Sequence, residues 1–142
     1  MTNAKGEVEA LMNDLLPFAK KMLADYGEFH PFGGFMKTDG SIVRVGAIDP
    51  SDDQPRGRDL WRIMAEDFRQ RARNEGIRAI ALVADVRLPP TNNQEMTDAV
   101  QVTLEHRSSY AANVFLPYRV NDAGVPEFGP MFAQEGQRSI FA

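Results

Sequence analysis

Residues Ile77 to Leu88 are apolar on both sides of an extended chain, with Ile80, Leu82, Ala84 and Val86 on one and Ala79, Ala81 and Val83 on the other. Side chains alternate across a strand, so this one has no side fit for water and has to be covered twice. It reads as the central strand of a sheet, broken by Pro89-Pro90-Thr91-Asn92-Asn93-Gln94. The rest of the chain has to supply its neighbours and its covers.

Two helices provide covers. Val8, Leu11, Met12, Leu15, Leu16, Ala19, Met22, Leu23 and Tyr26 fall in steps of three and four, which traces one helical stripe. Gly27 stands where a C′ glycine ends a helix. Pro17 removes a backbone donor and crowds the preceding turn, so the pattern predicts a kink there or two abutting helices. In a second helix Leu60, Met64, Phe68 and Ala72 repeat every four residues, Trp61 and Ile63 flank them, and Arg62, Glu66, Arg69, Gln70 and Arg73 lie opposite. Gly76 fits its C′ position.

The neighbouring strands are marked by turns. Asp39-Gly40 separates Phe32-Gly33-Gly34-Phe35-Met36 from Ile42-Val43-Arg44-Val45, a strong hairpin signal because both turn residues tolerate positive φ. Asp49 to Pro55 is a polar loop. From Asp98 to Arg107 the chain alternates cleanly: Val100, Val102, Leu104 and His106 point one way, Gln101, Thr103, Glu105 and Arg107 the other. That is a half-buried strand with one wet face. Ser108-Ser109 turns the chain into another strand from Tyr110, ending near Pro117-Tyr118, and Asn121-Asp122-Ala123-Gly124 is a further turn. From Val125 onward Phe, Gly and Pro recur without a period, as expected of a segment lying on the body or on a partner.

The order α-β-β-α-β-β-β predicts an α+β class: two helices (3–27 and 55–76), a five-stranded antiparallel sheet and an irregular tail (125–142), in a single domain over 1–142. The chain's 142 residues suffice to bury a core without staples, and 43% apolar with 25% charged is an ordinary globular balance. There are no cysteines, which excludes disulfides, thiolate nucleophiles and cysteine-held zinc. No apolar run approaches the roughly 20 residues that span a bilayer, and the start of the sequence has no signal-peptide pattern. The reading is therefore cytoplasmic, with no membrane partner. Net charge is −4 and the basic residues are scattered among acids, which argues against nucleic acid as a partner.

Three residues stand as catalytic candidates: His106, Tyr110 and His30. His30, in Phe29-His30-Pro31-Phe32, has no orienting partner nearby and reads as a loop histidine bonded to backbone. His106 is in phase with Val102 and Leu104 on the apolar side of its strand, where an imidazole needs a hydrogen-bond partner or lines a pocket. Tyr110 and Tyr118 are ambiguous between core and pocket. Asp85, in phase with Ala81 and Val83, has a raised pKa if buried unpaired; the expectation is a strand-end position near solvent or a pair with Arg87 or Arg78. Gly33-Gly34 lies between a helix and a strand, the reverse of a phosphate-cradling loop, and reads as close strand packing. Ser108-Ser109 lacks the flanking glycines of a nucleophile elbow. Two histidines with no ligand spacing point to no metal, and nothing points to a cofactor.

The element order over residues 3 to about 120 resembles roadblock and longin-type domains, which implies a non-catalytic dimerising or scaffold module. The Pro-Phe-Gly-Gly-Phe-Met hairpin, Leu104-Glu105-His106 and Leu116-Pro117-Tyr118 resemble a bacterial family of unknown function. The leading expectation is a non-enzymatic binding or protein-interaction domain, a homodimer or the companion of another protein. The alternatives are a small-molecule-binding protein or enzyme with a pocket near His106, and a toxin-immunity-like inhibitor whose acidic surface steers it to a basic toxin.

Overall fold

The computed structural model describes residues 3–46, 57–88 and 98–141. The loop expected at 49–55, the start of the second helix at 55 and 56, and the break at 89–94 lie outside the described residues. The elements run α1 (Ala4–Tyr26), β1 (Phe32–Met36), β2 (Ile42–Gly46), α2 (Gly57–Asn74), β3 (Ala79–Arg87), β4 (Asp98–His106), β5 (Tyr110–Val120), β6 (Pro126–Phe128) and β7 (Phe132–Glu135). The class is α+β as the patterns require. The strands form one sheet in the order β2-β1-β3-β4-β5-β6, with β7 also on β5, and all pairs are antiparallel.

Among the described residues the sheet has seven strands, not five, and the irregular tail expected at 125–142 is corrected accordingly. Tyr118 pairs with Phe128 and Phe115 with Phe132, so β6 and β7 lie end to end along the outer edge of β5. Gly129-Pro130-Met131 interrupts them, which leaves each too short to show a period of two in the sequence.

β3 occupies the place its composition demands, between β1 and β4. Ala79, Ala81 and Val83 join Val8, Leu11, Leu15, Ala19 and Leu23 of α1, together with Val100, Val102, Leu104 and Leu116 from the next strands. Ile80 and Leu82 join Phe35, Met64, Ala65 and Phe68 on the α2 side. Each fully buried leucine or phenylalanine contributes about 1.5–3 kcal/mol relative to exposure.

Local signals behave as read, with one exception. Gly27 adopts φ +78° and its N–H caps the Leu23 carbonyl at 2.9 Å. In the hairpin Gly40 takes φ +91° while Asp39 Oδ1 accepts from Ser41 N and Oγ. Two abutting helices do not appear at Pro17: α1 is one continuous helix with Pro17 inside it and exposed. The buried stripe on either side of it packs on one sheet, and tertiary packing of that stripe outweighs the loss of one solvent-side hydrogen bond.

The wet face expected on β4 needs a second correction. α2 lies over β1 and β3, leaving the same side of β4 and β5 uncovered by helix. Residues 138–141 return across it, and Glu105 there is 1% exposed.

Candidate functional site

His106 is 6% exposed at the end of β4, and both ring nitrogens are engaged. The Ser108 N–H donates to Nδ1 at 2.9 Å, so the ring proton sits on Nε2, which faces Glu7 Oε1 at 2.8 Å. The other oxygen of Glu7 accepts from Arg78 Nη1 at 2.7 Å. Glu7 sits in the first turn of α1, Arg78 just before β3, so the three side chains tie the start of the helix to one end of the sheet. Hydrogen bonding from His106, reinforced by Arg78 and opposed by burial, holds the Glu7 carboxyl below the usual glutamate range. This is the partner that the strand pattern requires for His106, and it comes from 99 positions away. Tyr110, opposite His106 across the β4–β5 pair, is half-buried and packs against the α1-side core. His30 is exposed and lies far along the chain from either.

The opposite end of the sheet is more open. β1 pairs with β3 only as far as Val83, so Ala84 to Arg87 overhang, and residues 28–31 run beside them. Asp85 lies on this overhang near the strand end and half-exposed, as one reading of the pattern has it, but its partner is neither Arg87 nor Arg78. It accepts a hydrogen bond from Tyr118 Oη at 2.5 Å and another from the Phe29 amide. Tyr118 is in register with Asp98, diagonal to Asp85 on the α1 side of the sheet. Burial pushes the Asp85 carboxyl up, the Tyr118 bond resists this, and the carboxylates of Asp98 and Glu28 push it further. Tyr118 is also pushed up, by burial first and then by donating to Asp85.

Asp85 and Phe29 border two clefts. One, of about 370 Å³, is walled by Phe29, Pro31, Trp61, Val86 and Gln101. The other, of about 610 Å³, is walled by Met22, Tyr26, Glu28 and His30. An edge-to-face contact with Phe32, ring centres 5.7 Å apart, fixes the Phe29 ring between them. Of the three residues singled out by type, the structure brings only His30 to these clefts; His106 and Tyr110 line neither. The signal that could have found the site was Asp85 itself, an acid breaking an apolar run.

Gly33 and Gly34 serve close strand packing, as their place in the sequence suggests. They lie within β1, each facing one helix, with Met64 of α2 over Gly33 and Leu15 of α1 over Gly34. Ser108 and Ser109 make the β4–β5 turn, Ser109 at φ +71°. Among the described residues no three His, Asp or Glu side chains stand close enough to hold a metal ion, and no helix is long and apolar enough to cross a membrane.

No family model, curated protein or solved structure matches the chain.

Proposed function

We propose that the protein is a non-catalytic binding domain whose ligand is a small organic cation with an apolar body, seated at Asp85. One observation supports this: a half-buried carboxylate on the α1 side of the sheet, held by Tyr118 and the Phe29 amide, belongs to a residue that lines the cleft walled by Met22, Tyr26, Glu28, Phe29 and His30. Neighbouring Asp98 and Glu28 raise the cost of its charge. A ligand ammonium relieves that cost, and Tyr26 and Phe29 supply aromatic walls to the same cleft. No nucleophile–base pair adjoins Asp85 among the described residues that line the clefts, so binding rather than turnover is the reading favoured.

The test is thermal shift with arylalkyl amines against their neutral alcohol isosteres. Amines are expected to raise Tm, since a ligand at about 100 times its Kd adds about 2.7 kcal/mol. Asp85→Asn, which can still accept from Tyr118, is expected to abolish that shift. It is also expected to raise the Tm of the unliganded protein near neutral pH. The sign follows from the raised carboxyl: its contribution to stability is lost as pH rises through the folded value, so removing the charge gains stability. Equal shifts from amines and alcohols, or shifts that survive Asp85→Asn, would refute the reading.

A homodimer is proposed alongside it, on a separate observation. The β6–β7 edge carries exposed Val125, Phe128, Met131 and Phe132. An edge strand with apolar side chains beside it invites a second strand edge. Light scattering across the micromolar range is expected to report a dimer that Phe132→Glu dissociates; a monomer throughout sinks this part.

A further inference from the structure

We propose that the seat occupied by residues 138–141 is a peptide-binding site filled in cis, and that it accepts in trans a short peptide turn with an aliphatic side chain among free backbone amides. The site lies on the α2 side of β4, away from the Asp85 carboxylate, and the cleft at its N-terminal end shares Trp61 and Gln101 with the cleft of about 370 Å³. Glu105 carries the argument. Its carboxylate is 1% exposed, and it accepts from three successive amides of one segment: Ser139 at 2.8 Å, Ile140 at 3.1 Å and Phe141 at 2.6 Å. A buried carboxylate satisfied in this way reads a backbone, not a particular side chain.

Side-chain selectivity comes from the pocket beneath. Ile140 is buried among Phe35, Met64, Phe68 and Ile80, between α2 and the sheet. Arg69 Nε donates to the Ser139 carbonyl at 2.9 Å, a second backbone contact. On the N-terminal side of Ile140 the side chains are superficial: Gln137, Arg138 and Ser139 are exposed, and Arg138 bonds Ser109 and two carbonyls at 3.2–3.5 Å. Phe141 adds a half-buried ring against the same cluster, with Arg107 over it at 5.4 Å. Two apolar side chains and the Glu105 carboxylate thus hold a four-residue segment that is short enough to open without the rest of the fold.

The seat is also longer than the segment in it. Next to Gly136, Gln137 and Ser139 lies a cleft of about 340 Å³ that runs toward Trp61. Its floor is polar: Thr103 Oγ1 donates to Asn113 Oδ1 at 2.9 Å, and Gln101 Nε2 reaches both at 3.3–3.4 Å. These groups suit the amides and carbonyls of a chain continuing from the N-terminal side of the seat. A trans peptide that reaches past the serine position fills space the resident segment leaves empty. That added contact is what lets it compete with a segment tethered at an effective concentration of about millimolar.

The experiment uses the whole chain and its one tryptophan, Trp61, as reporter. Hydrogen exchange on the wild-type protein is expected to show the amides of residues 139–141 opening at least tenfold more readily than those of β3 and β4. A full-length Ile140→Ser chain, with its resident segment loosened, is expected to bind a synthetic Gln-Arg-Ser-Ile-Phe-Ala peptide with a saturable change in Trp61 emission. Adding Glu105→Gln to that chain is expected to weaken binding tenfold or more, because the charge-assisted bonds go. Amides 139–141 that exchange only with the whole molecule overturn the proposal, since the segment is then core and not a ligand. So does a folded Ile140→Ser chain blind to millimolar peptide. Should that variant fail to fold, wild-type exchange decides alone.

Discussion

Glu7→Ala is expected to lower stability by about 3 kcal/mol, and Tm by roughly 10 °C. The substitution leaves the His106 Nε2–H buried with no acceptor, since the ring's other nitrogen is already taken by the Ser108 amide. An orphaned donor of this kind costs about 1–3 kcal/mol, and the space vacated by the carboxylate adds to it. Arg78 suffers less, because its guanidinium side is 36% exposed and water can replace the carboxylate. Against a total stability of roughly 5–15 kcal/mol for a domain of this kind, the loss is large. Chemical denaturation of Glu7→Ala, His106→Ala and the double variant measures it. If the three side chains act as one unit, the double variant costs less than the sum of the singles. Additivity would show that the contact contributes nothing of its own.

The same carboxylate sets a pH dependence. Its folded pKa lies below the unfolded one, so its contribution is fully present above the ordinary glutamate range and is lost as pH falls through the depressed value. Asp14 and Asp39 behave in the same direction for their own reasons, Arg44 and Ser41 respectively. The acid limb of stability is therefore a sum. Glu7→Gln is expected to flatten it below about pH 4.3 relative to wild type without abolishing it.

What could be seen in advance divides along sequence distance. The hairpin at Asp39-Gly40, the cap at Gly27 and the doubly apolar β3 are local patterns, and each determined its own element. The partners of the polar residues are not local. Glu7 lies 99 positions from His106, and the amides on Glu105 are 34 to 36 positions away. Strand alternation put Glu105 on a wet face correctly as to side and wrongly as to water, because a returning segment with no period of its own covers it. Asp85 shows the same limit at shorter range. Its neighbours Arg87 and Arg78 were the visible candidates, yet Arg78 serves Glu7 and Tyr118 serves Asp85 through a register that only the assembled β3–β4–β5 ladder defines.

Gly33→Ala is expected to cost about 3 kcal/mol or more, since an added methyl there has the closest contact found at any of the described glycines. A Cβ at Gly33 meets the Ala81 carbonyl oxygen at 2.4 Å and the Met64 sulfur at 3.0 Å. The sulfur ends a flexible side chain and can move. The oxygen belongs to β3, which is hydrogen-bonded on both sides and packed on both faces, and cannot move without disturbing the whole sheet. Gly34→Ala meets the Val43 carbonyl at 2.9 Å, but β2 is an edge strand and can shift, so a smaller loss is expected. Gly27→Ala meets nothing within 4 Å; its cost is only that of holding alanine at φ +78°, about 1 kcal/mol. The order Gly33 above Gly34 above Gly27, read from urea midpoints of the three variants, separates close approach from backbone conformation as the reason for glycine. A Gly33→Ala protein as stable as wild type would mean that β1 does not sit between the two helices at this distance from β3, and the packing of α2 on the sheet would have to be redrawn.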